Sequence, residues 1–564
     1  MMPLTRRQLL AAAPGTILAQ GGRAPNVILI LTDDQGYGDL GCHGNTAIRT
    51  PNIDRLHGES VRLANFHVDP LCSPTRSALM TGRYSCRTGV WATVMGRSLL
   101  RRDEVTMANV FADSGYRTGI FGKWHLGDNY PLRPEDRGFQ EVVTLGGGGV
   151  GQTPDHWGNT YFDDTYRHNG KWEKYSGYCT DAHFRNALGF IQASRNRPFF
   201  CYIPTNAPHG PYNVAKKYSE PYAKQGIASP MAEFFGMIAN IDKNVGLLRQ
   251  RLKEWKLEDN TILIFMTDNG TAAGNRAGMR AAKGSPYEGG HRVPCFLYWP
   301  AGGLSGGRDV AGLTAHFDLL PTLIELCALQ RPAGVRFDGS SLADALRGKK
   351  AVPERTLVAQ VQQRQVQGRF MMDNPEKWIN SAVMRERWRL INGTELYDLK
   401  ADPGQTNNVA AENTETHAHL RSAYENWWED VSRRFGEYSE IVLGSSKENP
   451  VHLNCMDWHG EQIPWNQTMI RKTPDANGFW AVEVERAGTY EFTLRQEPAE
   501  SGKAIQGSEA RIEIAGAKTS AAIPPGATSV TLRAKLPAGK TRLQTWLSEK
   551  RGAFFVEVRR VDAA

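Results

Sequence analysis

Residues 26–31, Asn26-Val27-Ile28-Leu29-Ile30-Leu31, form a nearly unbroken apolar run rich in β-branched side chains. A run of this kind predicts a strand buried on both faces of a parallel sheet. Phe199-Phe200-Cys201-Tyr202-Ile203 and Ile262-Leu263-Ile264-Phe265-Met266 repeat the pattern. Between them, Met237, Ile238, Ile241, Val245 and Leu248 recur at helical spacing within residues 231–252. Strands alternating with helices predict an α/β fold, with a mostly parallel central sheet and helices on both faces. A later helix, over about 412–435 and carrying Trp427-Trp428, is expected to close this unit.

After Tyr438 the pattern changes. The stretch Gly444-Ser445-Ser446-Lys447-Glu448-Asn449-Pro450 reads as a linker. Beyond it, short alternating runs such as Trp480-Ala481-Val482-Glu483-Val484 and Tyr490-Glu491-Phe492-Thr493-Leu494 predict an appended antiparallel β-sandwich. No internal repeat or low-complexity tract interrupts the chain.

At the N-terminus, Arg6-Arg7 precede a short apolar run over residues 9–19. This is the layout of a secretory signal of the twin-arginine kind. The run is too short to span a membrane, which takes roughly 20 residues. The expected organisation is a signal segment over 1–22, a catalytic α/β domain over 23–350, a smaller C-terminal subdomain over 351–438 and the sandwich over 439–564. A periplasmic or secreted location follows, with no membrane span.

Composition adds little to this pattern. The 564 residues carry a formal charge of +8, with 40% hydrophobic residues. That excludes a disordered chain, and with no clustered basic stripe it gives no reason to expect nucleic acid. The eight cysteines are too sparse for a disulfide scaffold.

Two buried runs end alike, in Thr32-Asp33-Asp34 and Thr267-Asp268-Asn269. Ligands of α/β sheets bind beyond the carboxyl ends of the strands. Two carboxylate pairs there would repel each other unless a cation lay between them, and an oxygen-only set suits Ca²⁺ or Mg²⁺ rather than zinc. Gly36-Tyr37-Gly38-Asp39-Leu40-Gly41 formally matches a dinucleotide fingerprint. The carboxylates of Asp33 and Asp34 just before it would face the pyrophosphate, which argues against that reading.

The segment from Leu71 to Arg83 reads Leu-Cys-Ser-Pro-Thr-Arg-Ser-Ala-Leu-Met-Thr-Gly-Arg. Taken by itself it offers Cys72 with Arg76 four residues on, on one face if the segment is helical. This leaves open either a thiolate-prone reactive cysteine or a buried structural one.

The segment resembles the signature of type I sulfatases of the alkaline-phosphatase-like superfamily, in which the cysteine of C-x-P-x-R matures to formylglycine. Further motifs of that family are Gly122-Lys123-Trp124-His125-Leu126-Gly127, Ala207-Pro208-His209-Gly210-Pro211-Tyr212, Lys283-Gly284-Ser285-Pro286-Tyr287-Glu288-Gly289-Gly290-His291-Arg292 and Glu395-Leu396-Tyr397-Asp398-Leu399. The resemblance spans about residues 25–435 and omits the sandwich.

It implies metal ligands at Asp33, Asp34, Asp268, Asn269 and the modified Cys72, with Ca²⁺ as the ion and Mg²⁺ second. It also implies that Arg76 and Lys123 stabilise the formylglycine hydrate and the anionic group. His125 would bond the hydrate and act as base, while His209 and Lys283 would hold the ester and serve the leaving oxygen. The implied partners are a sulfated small molecule or carbohydrate and a formylglycine-generating maturation enzyme.

The expected reaction is hydrolysis of sulfate monoesters, with carbohydrate favoured by the export signal and the extra module. A phosphomonoester or phosphonate-ester hydrolase is the alternative, and a glycan-binding protein with an unmatured Cys72 is the non-enzymatic one. Gly146 to Gly149 with Asp155-His156-Trp157 could line the mouth of the site or form a flexible loop. Trp458, Trp465, Trp480 and Trp546 could stack on sugars or fill a core.

Overall fold

The computed structural model describes residues 23–561 apart from 362, 364, 367, 368 and 371–373. The predicted signal segment therefore lies outside the described residues.

Ten strands make the main sheet. In chain order they are β1 (Asn26–Thr32), β2 (Val61–His67), β3 (Arg117–Lys123), β4 (Glu141–Leu145), β5 (Thr165–His168), β6 (Lys171–Lys174), β7 (Phe199–Pro204), β8 (Thr261–Thr267), β9 (Cys295–Tyr298) and β10 (Arg308–Ala315). They lie in the order β10-β2-β9-β8-β1-β7-β3-β4-β5-β6. The centre, β8-β1-β7-β3-β4, is parallel, whereas β9 runs against its neighbours and β5 and β6 are antiparallel edge strands.

Strand β1 shows why its sequence has no polar face. Val27, Leu29 and Leu31 join a core with Val110 and Phe111 of helix Met107–Asp113 and Leu320 and Leu323 of helix Leu319–Leu326. Ile28 and Ile30 point the other way, onto Phe184 and Ile191 of helix Cys179–Ser194 and Met237 and Ile241 of helix Met231–Glu254. Successive side chains of a strand alternate in direction, so helices on both faces require apolar residues throughout.

A second, antiparallel sheet joins Thr356–Gln360, Ser381–Arg385, Trp388–Ile391 and Glu395–Asp398. Helix Thr414–Val431 covers it, with Leu420 and Tyr424 packed on Val383, Leu390 and Leu396.

The C-terminal sandwich pairs a five-stranded with a four-stranded sheet. It is not wholly antiparallel, because the short strand Ile441–Leu443 runs parallel to Phe479–Val484. Nor does the stretch before it act as a spacer. Ser445 is buried, and Glu448 accepts hydrogen bonds from the Tyr130 backbone N–H at 2.7 Å and from Asn129 at 3.4 Å. Trp91, Leu99 and Leu132, from the chain before β4, share one apolar core with Ile441, Leu453 and Trp458. Trp458 and Trp480 are fully buried in that core, which removes them as sugar platforms.

Candidate active site

Strands β1 and β8 pair in parallel with Thr32 opposite Thr267, so the residues that follow emerge side by side. Asp34 donates its backbone N–H to Asp268 Oδ1 at 3.1 Å, and Asn269 Nδ2 donates to Asp34 Oδ1 at 2.9 Å. Strand β3 ends on Lys123, whose Nζ lies 2.5 Å from Asp33 Oδ2. Beyond β7, His209 Nε2 stands 3.7 Å from Asp34 Oδ2. One end of the parallel sheet thus gathers the polar set, at the place where α/β folds bind ligands.

Cys72 opens a ten-residue helix, Cys72–Thr81, that is buried along its whole length. Gly82 ends the helix in a left-handed conformation with φ 68°, and a Cβ there would lie 2.9 Å from Phe337. The helix delivers Cys72 beside Lys283, with Nζ 3.3 Å from Sγ. Lys283 Nζ is also 2.5 Å from Asp34 Oδ1.

Arg76 donates to Asp268 Oδ2 and to the Lys123 carbonyl, at 2.8 and 2.9 Å. Burial pushes the Cys72 thiol up to about 12, against the pull of Lys123 and Lys283. Burial therefore works against the thiolate that the bare sequence left open.

Burial opposes ionisation of Asp34, yet Lys283, His209 and Lys123 hold its carboxyl well below the ordinary range. Burial and the neighbouring Asp33 carboxylate instead push Asp268 upward, against Arg76 and Lys123. The contrast marks crowded negative charge at the floor of the site. Asp33 Oδ1 and Asn269 Oδ1 are buried without a hydrogen-bond donor among the described residues. Ligand atoms of Asp33, Cys72 and Asp268 all lie within 4.8 Å of one another. Orphaned oxygens in an oxygen-rich floor fit a hard divalent cation.

His125 holds a left-handed backbone, φ 59°, and its Nε2 bonds the Thr93 carbonyl at 3.0 Å. That carbonyl can only accept, so Nε2 carries the proton and the buried, unpartnered Nδ1 presents a lone pair. Burial, Lys123 and Arg76 push the ring well below its ordinary value, so it is neutral. Burial lowers His209 to about 4, partly offset by Asp34. For Lys283, burial is outweighed by Asp34 and Cys72, and its ammonium is secured well above the ordinary range.

The loop over Gly146 to Gly149 is buried. A Cβ on Gly148 would sit 2.2 Å from the His125 ring, so glycine is what lets the loop close over it. Sequence reasoning gave no role to Gln152, Gln363 or Phe370, which line the same cavity as Cys72. It also passed over a buried cluster beneath the Lys283 segment, where Arg389 bonds Glu288 at 2.6 Å and His67 bonds His291 at 2.9 Å. The sequence signal for that cluster was the Glu288-Gly289-Gly290-His291 run itself.

Fold and site together define an α/β protein whose sheet end surrounds one buried cysteine with carboxylates, ammonium groups and a guanidinium. The family model described as Sulfatase matches residues 25–328. Human arylsulfatase A is 32% identical over 395 residues, which cover 63% of this chain and 74% of that protein. N-acetylgalactosamine-6-sulfatase of Canis lupus familiaris is 30% identical, covering 61% and 70%. A solved structure of Ps i-CgsB in complex with k-i-k-neocarrahexaose superposes with a TM-score of 0.66 at 28% identity, covering 74% of this chain and 95% of that one.

The chain belongs to the sulfatase family. It is a sulfuric ester hydrolase of alkaline-phosphatase-like fold, and the family implies a metal ion and formylglycine. Among the described residues, no helix is long and apolar enough to cross a membrane.

Proposed function

We propose that this protein hydrolyses sulfate monoesters of carbohydrates to alcohol and inorganic sulfate, using formylglycine made from Cys72. The observation that carries the reading is the placement of Lys283, at once 3.3 Å from Cys72 Sγ and 2.5 Å from Asp34. An anionic ester seated over Cys72 meets a permanent ammonium. Asp33, Asp34, Cys72, Asp268 and Asn269 would hold the cation, assigned here as Ca²⁺, which supplies charge neutralisation and Lewis acidity.

Matured to formylglycine, Cys72 would supply the hydroxyl nucleophile for sulfur. His125, in the same cavity and with Nδ1 without a partner among the described residues, would act as its base. Lys123 and Arg76 are held by Asp33 and Asp268 and so orient the floor beneath the nucleophile. Lys283, with His209, faces the ester and stabilises the leaving oxygen.

Charge supports sulfate over phosphate. Asp33, Asp34 and Asp268 are balanced by Arg76, Lys123 and Lys283, so a divalent ion leaves a surplus suited to a singly charged ester plus an anionic nucleophile. The Arg6-Arg7 segment supports export to the periplasm or beyond, with maturation by a formylglycine-generating enzyme. The domain limits we assign are 1–22, 23–350, 351–438 and 439–564. Matched sulfate and phosphate esters of one alcohol, assayed side by side, test the reaction. A higher kcat/KM on the sulfate is expected, and preference for phosphate overturns the assignment.

A further inference from the structure

Trp465 lies far beyond the matched family region, yet its side chain forms part of the wall of the Cys72 cavity. That cavity measures about 230 Å³, and Trp465 lines it together with Cys72, Gln152, His209, Lys283 and Gln363. The wall is fixed rather than draped. Thr153 donates its backbone N–H to the Trp465 carbonyl at 3.0 Å and its hydroxyl to the Pro464 carbonyl at 2.6 Å. Gln467 donates its backbone N–H to the Gly151 carbonyl at 3.0 Å, and its side chain bonds the carbonyls of Gln152, Asp155 and His156.

Two amides are oriented by the same logic. Gln152 Oε1 accepts from the Gly148 N–H at 2.9 Å. Gln363 Oε1 accepts from the Thr93 N–H at 2.8 Å and the Thr93 hydroxyl at 2.7 Å. A backbone N–H can only donate, so each oxygen is identified and each NH₂ is left as a donor. Neither NH₂ group has a partner among the described residues. The described lining includes no carboxyl group.

We propose that Trp465, Gln152 and Gln363 form the subsite for the pyranose ring that carries the sulfate. The inference rests on the sulfatase reading above and assigns the residues by which its site would favour a sulfated sugar over an aryl sulfate. The C–H face of a pyranose stacks on the indole, and its hydroxyl and ring oxygens accept from the two amides. An aryl ring would cover the same indole but leave both donors stripped of water and unpaired, a penalty a sugar avoids. The missing carboxylates suit a ring already bearing an anion.

The test uses the full chain, matured at Cys72, on a panel of monosulfated galactosides, glucosides and their N-acetylamino counterparts, with nitrophenyl sulfate beside them. Trp465→Ala and Gln363→Ala are each expected to raise KM for the best pyranoside about tenfold, the scale of one lost contact, with kcat changed less. The Gln363→Ala effect on nitrophenyl sulfate is expected to be several-fold smaller, because an aryl ring uses the indole but not the amide, and Trp465→Phe should recover much of the sugar KM. Thermal melting checks each variant, and Gln363→Ala keeps the test alive where Trp465→Ala fails to fold. Equal losses on both substrate classes in Gln363→Ala, or an unchanged pyranoside KM in Trp465→Ala, overturn the subsite. So does a wild type that cleaves nitrophenyl sulfate but no pyranoside, although the sulfatase reading then stands. A matured protein that cleaves neither class takes down both.

Discussion

Arg76 donates from Nη2 to Asp268 Oδ2 at 2.8 Å, and both side chains are shut away from solvent. The two therefore form a buried ion pair within the site. Burial opposes the charge on Arg76, but Asp268 and Asp33 raise its pKa further, so it stays ionised.

Removing that guanidinium leaves Asp268 uncompensated in a dry site. Arg76→Met is expected to destabilise the protein by about 3–5 kcal/mol, the cost of breaking a buried pair, and to abolish turnover. Arg76→Lys keeps the charge but loses the second bond, to the Lys123 carbonyl, and should fall between. Denaturant melts and kcat on one sulfate ester measure both; a Met variant as stable as wild type contradicts the assignment.

The orphaned oxygens of Asp33 and Asn269 lead to a metal prediction. Chelation is expected to remove activity, and Ca²⁺ to restore it better than Mg²⁺, whose stricter octahedral geometry suits this set less. Ca²⁺ at a hundredfold above its Kd should stabilise the fold by about 2.7 kcal/mol. Asn269→Ala should lose that melting shift. A shift of wild-type size in the variant removes Asn269 from the ligand set.

His183 tests the core beneath the site. It is fully buried in helix Cys179–Ser194, where burial alone lowers its ring to about 3 from an unfolded value near 6.5. Between those values the unfolded chain binds a proton that the folded chain refuses. Stability is therefore full above pH 6.5 and is lost as pH falls toward 3, by on the order of 1.4 kcal/mol per pH unit. His183→Gln should flatten the acid limb of the stability curve by one proton's worth. An unchanged slope means the ring is already protonated in the fold.

What the sequence revealed follows physical range. Buried strands were legible because a two-sided core demands apolar residues at every position, as in β1. The carboxylate pairs were legible because both follow such strands, although the register that sets Thr32 beside Thr267 is a tertiary fact. Trp465 was visible only as an aromatic residue in a β module, because its cavity partners lie up to several hundred positions away. Gly148 was visible only as part of a glycine run, and its purpose depends on the ring of His125. The stretch 444–450 looked like a spacer from composition, yet Glu448 satisfies the Tyr130 backbone N–H and the Asn129 side-chain amide of a distant loop. The thiolate reading of Cys72 is opposed for a related reason: Arg76 is committed to Asp268, and burial works against charge on the sulfur.

Cys72 is buried beside Lys283 and within reach of Asp33 and Asp268, and its conversion is the central step of the proposed reaction. Cys72→Ala is expected to keep the melting temperature within a few degrees while turnover disappears. Cys72→Ser should be as inactive unless the host matures serine. Residual turnover near wild type in either variant moves the nucleophile elsewhere.

The most direct measurement is the mass of the peptide spanning Cys72, taken from protein made in a host with a formylglycine-generating enzyme and compared with activity in the same preparation. The account predicts a peptide in which the sulfur and two hydrogens are lost and an oxygen gained, with specific activity proportional to its fraction. An active preparation whose Cys72 is wholly an unmodified thiol contradicts it.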